Sequence, residues 1–400
     1  MANRVMISDR VDYVGSQDWD RTIFDSLIPL PDGTSYNSYI VKGSSKTALI
    51  DTVDPKFLQE LEGKLEEAGN VDYVVVNHVE QDHSGCLNMV LDRYPKATAL
   101  CSEKAKDLII THLHTAPERI ITVKDGEELS LGDRTLRFVY APFVHWPETM
   151  LTYLVEDRIL FSCDMFGSHL ASSDVFTVKP PHEYVESCKR YYAEIMMPFA
   201  IPIKKNLEKV EALSPAMICP SHGPCWTEPA FVMDLYRRWS QGAPENKALL
   251  LYVSMHGSVS AMVERITDRL SAAGVSVARV DLTEPDLGKI AINLVDSHTI
   301  LIGTPTVLGG PHPKVASAVV LANALRPKAK LIGIVGSFGW AGKAPEVLAS
   351  LVPNLSGAEL LQPLMLKGLP DEDGIRKLDE FADTLIDRHS KAFPKEDGCC

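Results

Sequence analysis

No apolar run in the chain approaches the length of a membrane span, which excludes a helical membrane anchor. The opening segment, MANRVMISDRVDYVG, lacks the apolar stretch of a secretory leader. Cysteine is present but unpaired in pattern. Cys86, Cys101, Cys163, Cys188, Cys219, Cys225, Cys399 and Cys400 form no CxxC pair, so neither a four-thiolate iron site nor a zinc ribbon is encoded. Cys219 and Cys225 flank a histidine and read as small apolar residues in a reduced cytoplasm, while Cys399 and Cys400 read as a tail. Positive charge is also scarce. Forty Lys and Arg against 53 Asp and Glu leave a net charge of −13, which argues against nucleic acid or an anionic membrane as partner. Internal repeats and low-complexity segments are lacking as well.

What is there suits two globular domains: 400 residues, 45% apolar and 23% charged. Residues 1 to about 53 read as β-rich. PKFLQELEGKLEEAG has helical periodicity and stops at Gly69-Asn70. VDYVVV and ATALCS are strand-like, each followed by a helical run. Residues 119 to 167 return to strands, with hairpin signals at Asp125-Gly126 and Gly132-Asp133. Residues 183 to 213 look helical, with interruptions expected at Pro198 and Pro202. AMICPSHG is a short strand, and EPAFVMDLYRRWSQG is a helix. GAPENK (242–247) is the expected boundary, dividing the chain into 1–246 and 247–400. Beyond it, five strands (ALLLYVS, VSVARVDL, HTILIGTPT, AKLIGIVGS, AELLQPLML) alternate with helices that begin near Ser258, Glu284, Pro313, Pro345 and Asp371. That alternation implies a doubly wound parallel sheet.

Straight after VDYVVV comes the densest cluster of potential metal ligands, His78, Glu80, Asp82 and His83. On an extended segment His78, Glu80 and Asp82 would share one side, with His83 turned to a neighbouring position. Three further candidates stand at strand ends: His145, Asp164 and His222. Four imidazoles and three carboxylates exceed one tetrahedral zinc and suit two metals roughly 3.5–4 Å apart that share a carboxylate. Added carboxylate character favours a harder ion than zinc, and anionic ligands stabilise a ferric state, but ligand type alone does not exclude zinc. His169, close behind Asp164, is placed outside the ligand set. Trp146 and Glu148, just after His145, are expected to line the site or the electron path. The remaining histidines, His112 among them, lack such context.

The second half carries three loops at strand C-termini. The first is Ser254, Met255, His256, Gly257 and Ser258 with Val259, opening a helix whose free N–H groups suit a phosphate. The second is Thr304, Pro305, Thr306, Val307, Leu308 and Gly309. The third is Ser337, Phe338, Gly339, Trp340, Ala341 and Gly342. Such positions, near the switch point of a doubly wound sheet, bind ligands, and glycines let backbone approach a planar ring. Trp340 is expected to form an aromatic wall.

The first half resembles the metallo-β-lactamase superfamily, an αβ/βα sandwich whose hydrolases carry HxHxDH. Glu80 stands where those hydrolases have a histidine. That HxExDH pattern, followed by a distant His, Asp and His, is similar to the flavodiiron proteins. The three later loops resemble the flavodoxin loops of the same family, with departures at Val259, Val307 and Leu308. The resemblance implies a metallo-β-lactamase-like diiron domain (1–246) followed by a flavodoxin-like FMN domain (247–400). It implies one non-haem iron on His78, Glu80 and His145, a second on Asp82, His83 and His222, and Asp164 bridging them. It further implies reduction of O2 to water, of NO to N2O, or of both. Two ferrous ions and reduced FMN together supply the four electrons that O2 requires. No catalytic residue beyond the metal ligands is needed. The partners implied are an external donor (rubredoxin, another redox protein or reduced F420) and a second copy of the chain in a head-to-tail homodimer, or a homotetramer. The alternatives are a metal-dependent hydrolase fused to a flavodoxin-like module, which Glu80 disfavours, and a flavin electron carrier with a structural metal site.

Overall fold

The computed structural model describes residues 5–177, 182–340, 342–355 and 357–394. Cys399 and Cys400 lie outside them. The chain forms two compact units, Met1–Gln241 and Gly242–Cys400.

The first unit contains two seven-stranded sheets. One runs Val5–Ser8, Val11–Tyr13, Tyr39–Lys42, Thr47–Ile50, Tyr73–Val76, Thr98–Ser102 and Ile120–Val123 in spatial order. The strand Tyr73–Val76 pairs parallel to both neighbours and is covered on both faces. Val74 and Val76 face the helices 58–68 and 87–93, against Leu61, Leu65, Leu87 and Val90. Val75 joins Ile50, Phe138 and Phe161 between the sheets. A strand buried on both sides needs no polar alternation, which is why this segment reads as an unbroken valine run. The second sheet contains Glu128–Ser130, Thr135–Tyr140, Met150–Leu154, Ile159–Cys163, Met217–Pro220, Cys225–Trp226 and Phe176–Thr177. The helices 200–213 and 229–241 pack on one another and tie to this half by polar bonds. Tyr153 Oη donates to Leu213 O at 3.0 Å, and Phe166 N–H donates to Tyr236 Oη at 2.9 Å.

Local chemistry explains the element ends. The Asp54 side chain accepts from Lys56 N–H at 2.9 Å, Pro55 opens the first helical turn, and Gly69 at φ 90° ends the helix. Pro198 falls in a short 3-10 turn (Met197–Phe199), as an interruption should. Pro202 does not interrupt. It lies in the first turn of the helix Ala200–Leu213, where its missing N–H would have no partner in any case.

The second unit is one sheet whose parallel strands run in the order Ser276–Asp281, Glu245–Tyr252, Ser297–Val307, Leu331–Phe338, then the pair Glu359–Leu360 and Leu364–Lys367, with the short Gly310–Pro311 antiparallel to Ser297–Val307. This is the 2-1-3-4-5 order of a flavodoxin-like doubly wound fold. The last strand is split where one run was expected, because Pro363 has no amide to donate to the ladder. The first strand starts at Glu245, inside the GAPENK segment, so the break itself spans only 242–244.

A buried pair of histidines sits where the strands of this sheet begin. His389 Nε2 is 2.8 Å from Thr299 Oγ1, its Nδ1 is 2.7 Å from Asn246 Oδ1, and its ring lies 4.9 Å from that of His298. Burial, then the His298 charge, push the His389 pKa down to about 4. A histidine depressed below its unfolded value near 6.5 leaves the unfolded state the better proton binder, so stability falls as pH drops from about 6.5 to about 4. The slope of melting temperature over that window should be shallower in His389→Gln than in the parent. Equal slopes would remove His389 as the cause.

Candidate metal centre and a second pocket

The seven ligand-type residues come from loops at the ends of four strands. His78 and Glu80 follow Tyr73–Val76, and His145 lies between Thr135–Tyr140 and Met150–Leu154. Asp164 follows Ile159–Cys163, and His222 follows Met217–Pro220. Asp82 and His83 are not on an extended segment. They occupy a single helical turn, Gln81–Ser84, that breaks the alternation begun at His78. Backbone strain collects here: Cys163, just before Asp164, has φ 50°, and Asp51 has φ 55°. Gly223, just after His222, has φ 75°, and a Cβ there would stand 2.0 Å from Ser168 Oγ.

The turn sorts the ligands into two groups. His78, Glu80, His145 and Asp164 converge in one, and Asp82, His83 and His222 in the other. Asp164 faces both. Its Oδ2 lies 3.4 Å from His145 Nε2 and 3.6 Å from His78 Nε2. Its Oδ1 lies 3.0 Å from His83 Nε2 and 3.6 Å from His222 Nε2. Glu80 Oε2 is 3.1 Å from both His78 Nε2 and His145 Nε2. Asp82 spans the second group, with Oδ1 3.4 Å from His83 Nε2 and Oδ2 3.3 Å from His222 Nε2.

The electrostatics are those of a cation site. Burial alone would raise Asp164, but the charge of His83 and the close imidazoles of His145 and His78 hold it well below the usual carboxylate range. Burial would lower His83, yet Asp82 and Asp164 hold it well above the ordinary value. Burial would lower His145 too, but Asp164 and Glu80 raise it to about 10. Despite this pairing, both oxygens of Asp82, both oxygens of Asp164 and both ring nitrogens of His83 are buried without a hydrogen-bond partner. The closest of these atoms, 3.0 Å apart, are out of hydrogen-bond alignment. Buried polar atoms are ordinarily satisfied, so a convergent set of orphans fits metal ions.

Supporting contacts lie outside the ligands. His222 Nδ1 is 2.6 Å from Ser35 O. His169 Nδ1 is 3.0 Å from Thr34 Oγ1, and its ring lies 5.1 Å from that of His222. Burial and then the His222 charge push His169 well below its ordinary value. Trp146 packs edge-on against His78 at 4.8 Å. Glu148 does not line the site but stands behind His78, with Oε1 2.8 Å from Nδ1.

An open cavity of about 290 Å³ adjoins the ligands, lined by Arg21, Phe24, Asp25, Asp54, Glu80, Asp82, His112 and Trp146 among others. Arg21 donates to Tyr36 Oη at 2.5 Å and Asp54 Oδ2 at 3.0 Å and lies over the Phe24 ring. Burial, then Glu80 and Asp82, raise Asp25. Sequence reasoning missed Arg21, Phe24, Asp25, Asp54 and His112, which carry no motif and sit far from the ligands in the chain.

His83 and Asp82 should differ on replacement. Asp82 stands between two imidazoles and both its oxygens face them, whereas His83 contributes one nitrogen. His83→Asn is expected to retain more iron and activity than Asp82→Asn. Equal iron loss from the two variants, measured by metal analysis, would count against this.

In the second unit a cavity of about 290 Å³ is lined by Ser254, Met255, His256, Ser258 and Val259 from the first loop, Pro305 and Thr306 from the second, and Ser337, Phe338 and Gly339 from the third. Gly368 also lines it, which nothing in the sequence indicated. Gly257, at φ 85°, precedes the helix Ser258–Ala272. Thr304 is buried beneath, its Oγ1 accepting from His312 N–H at 3.0 Å. Val307, Leu308, Gly309, Trp340 and Gly342 are not lining residues. Trp340 and Leu308 are exposed. Ala341 lies outside the described residues.

Comparison with known proteins extends these observations. Residues 34–223 match the ODP family beta lactamase model. A nitric oxide reductase of Moorella thermoacetica is 34% identical over 87% of this chain and 89% of its own length. The coenzyme F420H2 oxidase of Methanothermobacter marburgensis is 35% identical over 86% and 89%. Among solved structures, rubredoxin oxygen:oxidoreductase of Desulfovibrio gigas superposes with a TM-score of 0.94 at 29% identity, covering 98% of this chain and 100% of that one. The flavodiiron protein of Giardia intestinalis superposes with a TM-score of 0.91 at 26% identity, covering 97% of each chain. With two ligand groups facing one carboxylate, a flavodoxin-like second unit, and relatives alike over most of their length, the chain belongs to the flavodiiron protein family.

Proposed function

We propose that this chain is an oxidoreductase that reduces O2 to water, NO to N2O, or both, using two non-haem irons and FMN. The observation that carries this reading is Asp164, whose two oxygens face two separate ligand groups. One metal is assigned to His78, Glu80 and His145, and the other to Asp82, His83 and His222, with Asp164 shared. When bound, the irons and the flavin supply the electrons and the open coordination positions at which two small diatomic molecules can be held side by side.

The chain's own residues do the rest. Four imidazoles and three carboxylates balance the charge of two divalent ions with little net excess, so neither ion has to be buried unpaired. Phe24 and Trp146 narrow the cavity, while Arg21 and Asp25 place a cation and a carboxyl in its wall. In the second unit, assigned to FMN, the first turn of Ser258–Ala272 and the hydroxyls of Ser254 and Ser258 suit the phosphate. The Pro305–Thr306 and Ser337–Gly339 segments suit the ring. The diiron domain is assigned to the unit ending at Gln241 and the FMN domain to the unit beginning at Gly242, because the strand Glu245–Tyr252 would be cut by a boundary after residue 246.

Rubredoxin and F420H2 appear in the names of relatives, and both are candidate donors here. Apolar side chains stand exposed beside both cavities: Trp19, Ile23 and Leu27 in the segment that carries Phe24, and Met255, Leu308 and Trp340 around the flavin pocket. They suit contact with a second copy, in a head-to-tail dimer or a tetramer built from it. The decisive experiment is iron and flavin analysis of the purified protein with anaerobic O2 and NO consumption assays. Two irons, one FMN and reductant-dependent consumption are expected. Two zincs and no flavin would overturn the proposal.

A further inference from the structure

Outside the ligand set, one buried carboxylate touches a ligand directly. The Glu148 side chain is fully buried, and its Oε1 accepts from His78 Nδ1 at 2.8 Å and from Val79 N–H at 3.2 Å. Its main chain is held as well, since Glu148 O accepts from Ser102 Oγ at 2.7 Å. The bond to Nδ1 leaves His78 Nε2, which faces Glu80 and Asp164, free of its proton to act as a donor.

Among the described residues, no carboxylate outside the ligand set is hydrogen-bonded to an imidazole of the other group. His222 Nδ1 meets a neutral backbone carbonyl, Ser35 O, at 2.6 Å. His83 Nδ1 is buried without a hydrogen-bond partner. The nearby buried carboxylate Asp51 has both oxygens engaged by Asn77, at 2.8 and 2.9 Å. An anion hydrogen-bonded behind an imidazole raises its basicity, and a more basic ligand stabilises the higher oxidation state of its metal.

We infer that Glu148 is a positioning residue that makes the two metal positions unequal, so that the metal held by His78, Glu80 and His145 is the harder of the two to reduce. This rests on the two-metal assignment of the ligand groups, but it fails separately. A parent protein without two irons would refute the assignment, whereas two irons unmoved by Glu148 would refute only the inference.

The test is Glu148→Gln in the full chain. Glutamine keeps an oxygen for His78 and Val79, removes the charge and turns the buried, unpartnered Oε2 into an amide nitrogen. In a redox titration followed by electron paramagnetic resonance, the lower of the two iron midpoints should rise while the higher holds. The mixed-valent signal should then reach a smaller maximum than in the parent. In a cobalt(II) titration of the metal-free chain, one of two binding steps should weaken by roughly 10–100-fold, with the other unchanged. Should Glu148→Gln not fold, Glu148→Asp provides the same cobalt titration, because it keeps the charge but loses the reach to Nδ1. Parent-like midpoints and cobalt steps would overturn the inference. Equal weakening of both steps would also overturn it, since that is the signature of general damage.

Discussion

Asp164→Asn is expected to remove both irons and to lower O2 or NO consumption by at least about 10²-fold, the upper end of what losing a mere supporting partner costs a metal site. Asp164 is the one residue whose two oxygens face different ligand groups, at 3.4 and 3.6 Å on one side and 3.0 and 3.6 Å on the other. Asparagine has nearly the same shape, so the loop after Cys163 has no steric reason to move. It loses the negative charge, and it turns one of the two oxygens into an amide nitrogen that cannot ligate. His145 then loses the anion that holds its proton most strongly in the metal-free chain, and His83 loses one of the carboxylates that hold its own. Flavin content should stay at the parent level, because the pocket lined by Ser254, Thr306 and Phe338 lies in the other unit. The measurement is iron and flavin per chain beside the consumption rate. Two retained irons with parent activity would mean that Asp164 is no bridge.

The ligand-type residues stood out because they lie in the segments that follow apolar strands, where the chain leaves the sheet and a polar side chain has no core role. The second unit was legible because strand and helix periods alternate regularly, and its switch-point loops announce themselves by small and hydroxyl residues. What was hidden depends on pairings between distant segments. Arg21, Phe24, Asp25 and Asp54 reach the cavity only because the β-rich N-terminal segment folds over the strand-end loops. Nothing in their own spacing points there. His112 lacked context for the same reason. Glu148 was placed near the site from its position after His145. Which face of His78 it would meet could not be read, since that depends on the register between Met150–Leu154 and its neighbours. The helical turn at Gln81–Ser84 is too short to leave a periodic signal, yet it decides which metal position Asp82 and His83 join. The split of the last strand at Pro363 was readable in principle, and the apolar run on both sides concealed it.

The second large effect belongs to the flavin unit, and it has two parts of opposite sign. Ser258 opens the helix Ser258–Ala272, whose preceding residue, Gly257, provides no side-chain cap. The first N–H groups of that helix therefore face the pocket with little competition, apart from Ser260 N–H, which Ser254 Oγ accepts at 3.1 Å. Among the described residues lining the pocket none is a lysine or arginine, so an FMN phosphate would depend on those amides, the hydroxyls and the helix dipole. Ser258→Asp places a carboxylate where the phosphate would sit. Two like charges about 4 Å apart in a partly screened protein environment repel by about 4 kcal/mol, which is a loss of roughly 10³-fold in affinity. The same carboxylate complements the helix dipole, so the flavin-free chain should gain about 0.3–1 kcal/mol of stability. The variant should thus melt slightly higher than the flavin-free parent, keep its iron, and fail to quench FMN fluorescence at concentrations that saturate the parent. A variant that destabilises the flavin-free chain and weakens FMN only in proportion would show damage to the loop rather than repulsion at a phosphate site. Unchanged affinity would place the phosphate elsewhere.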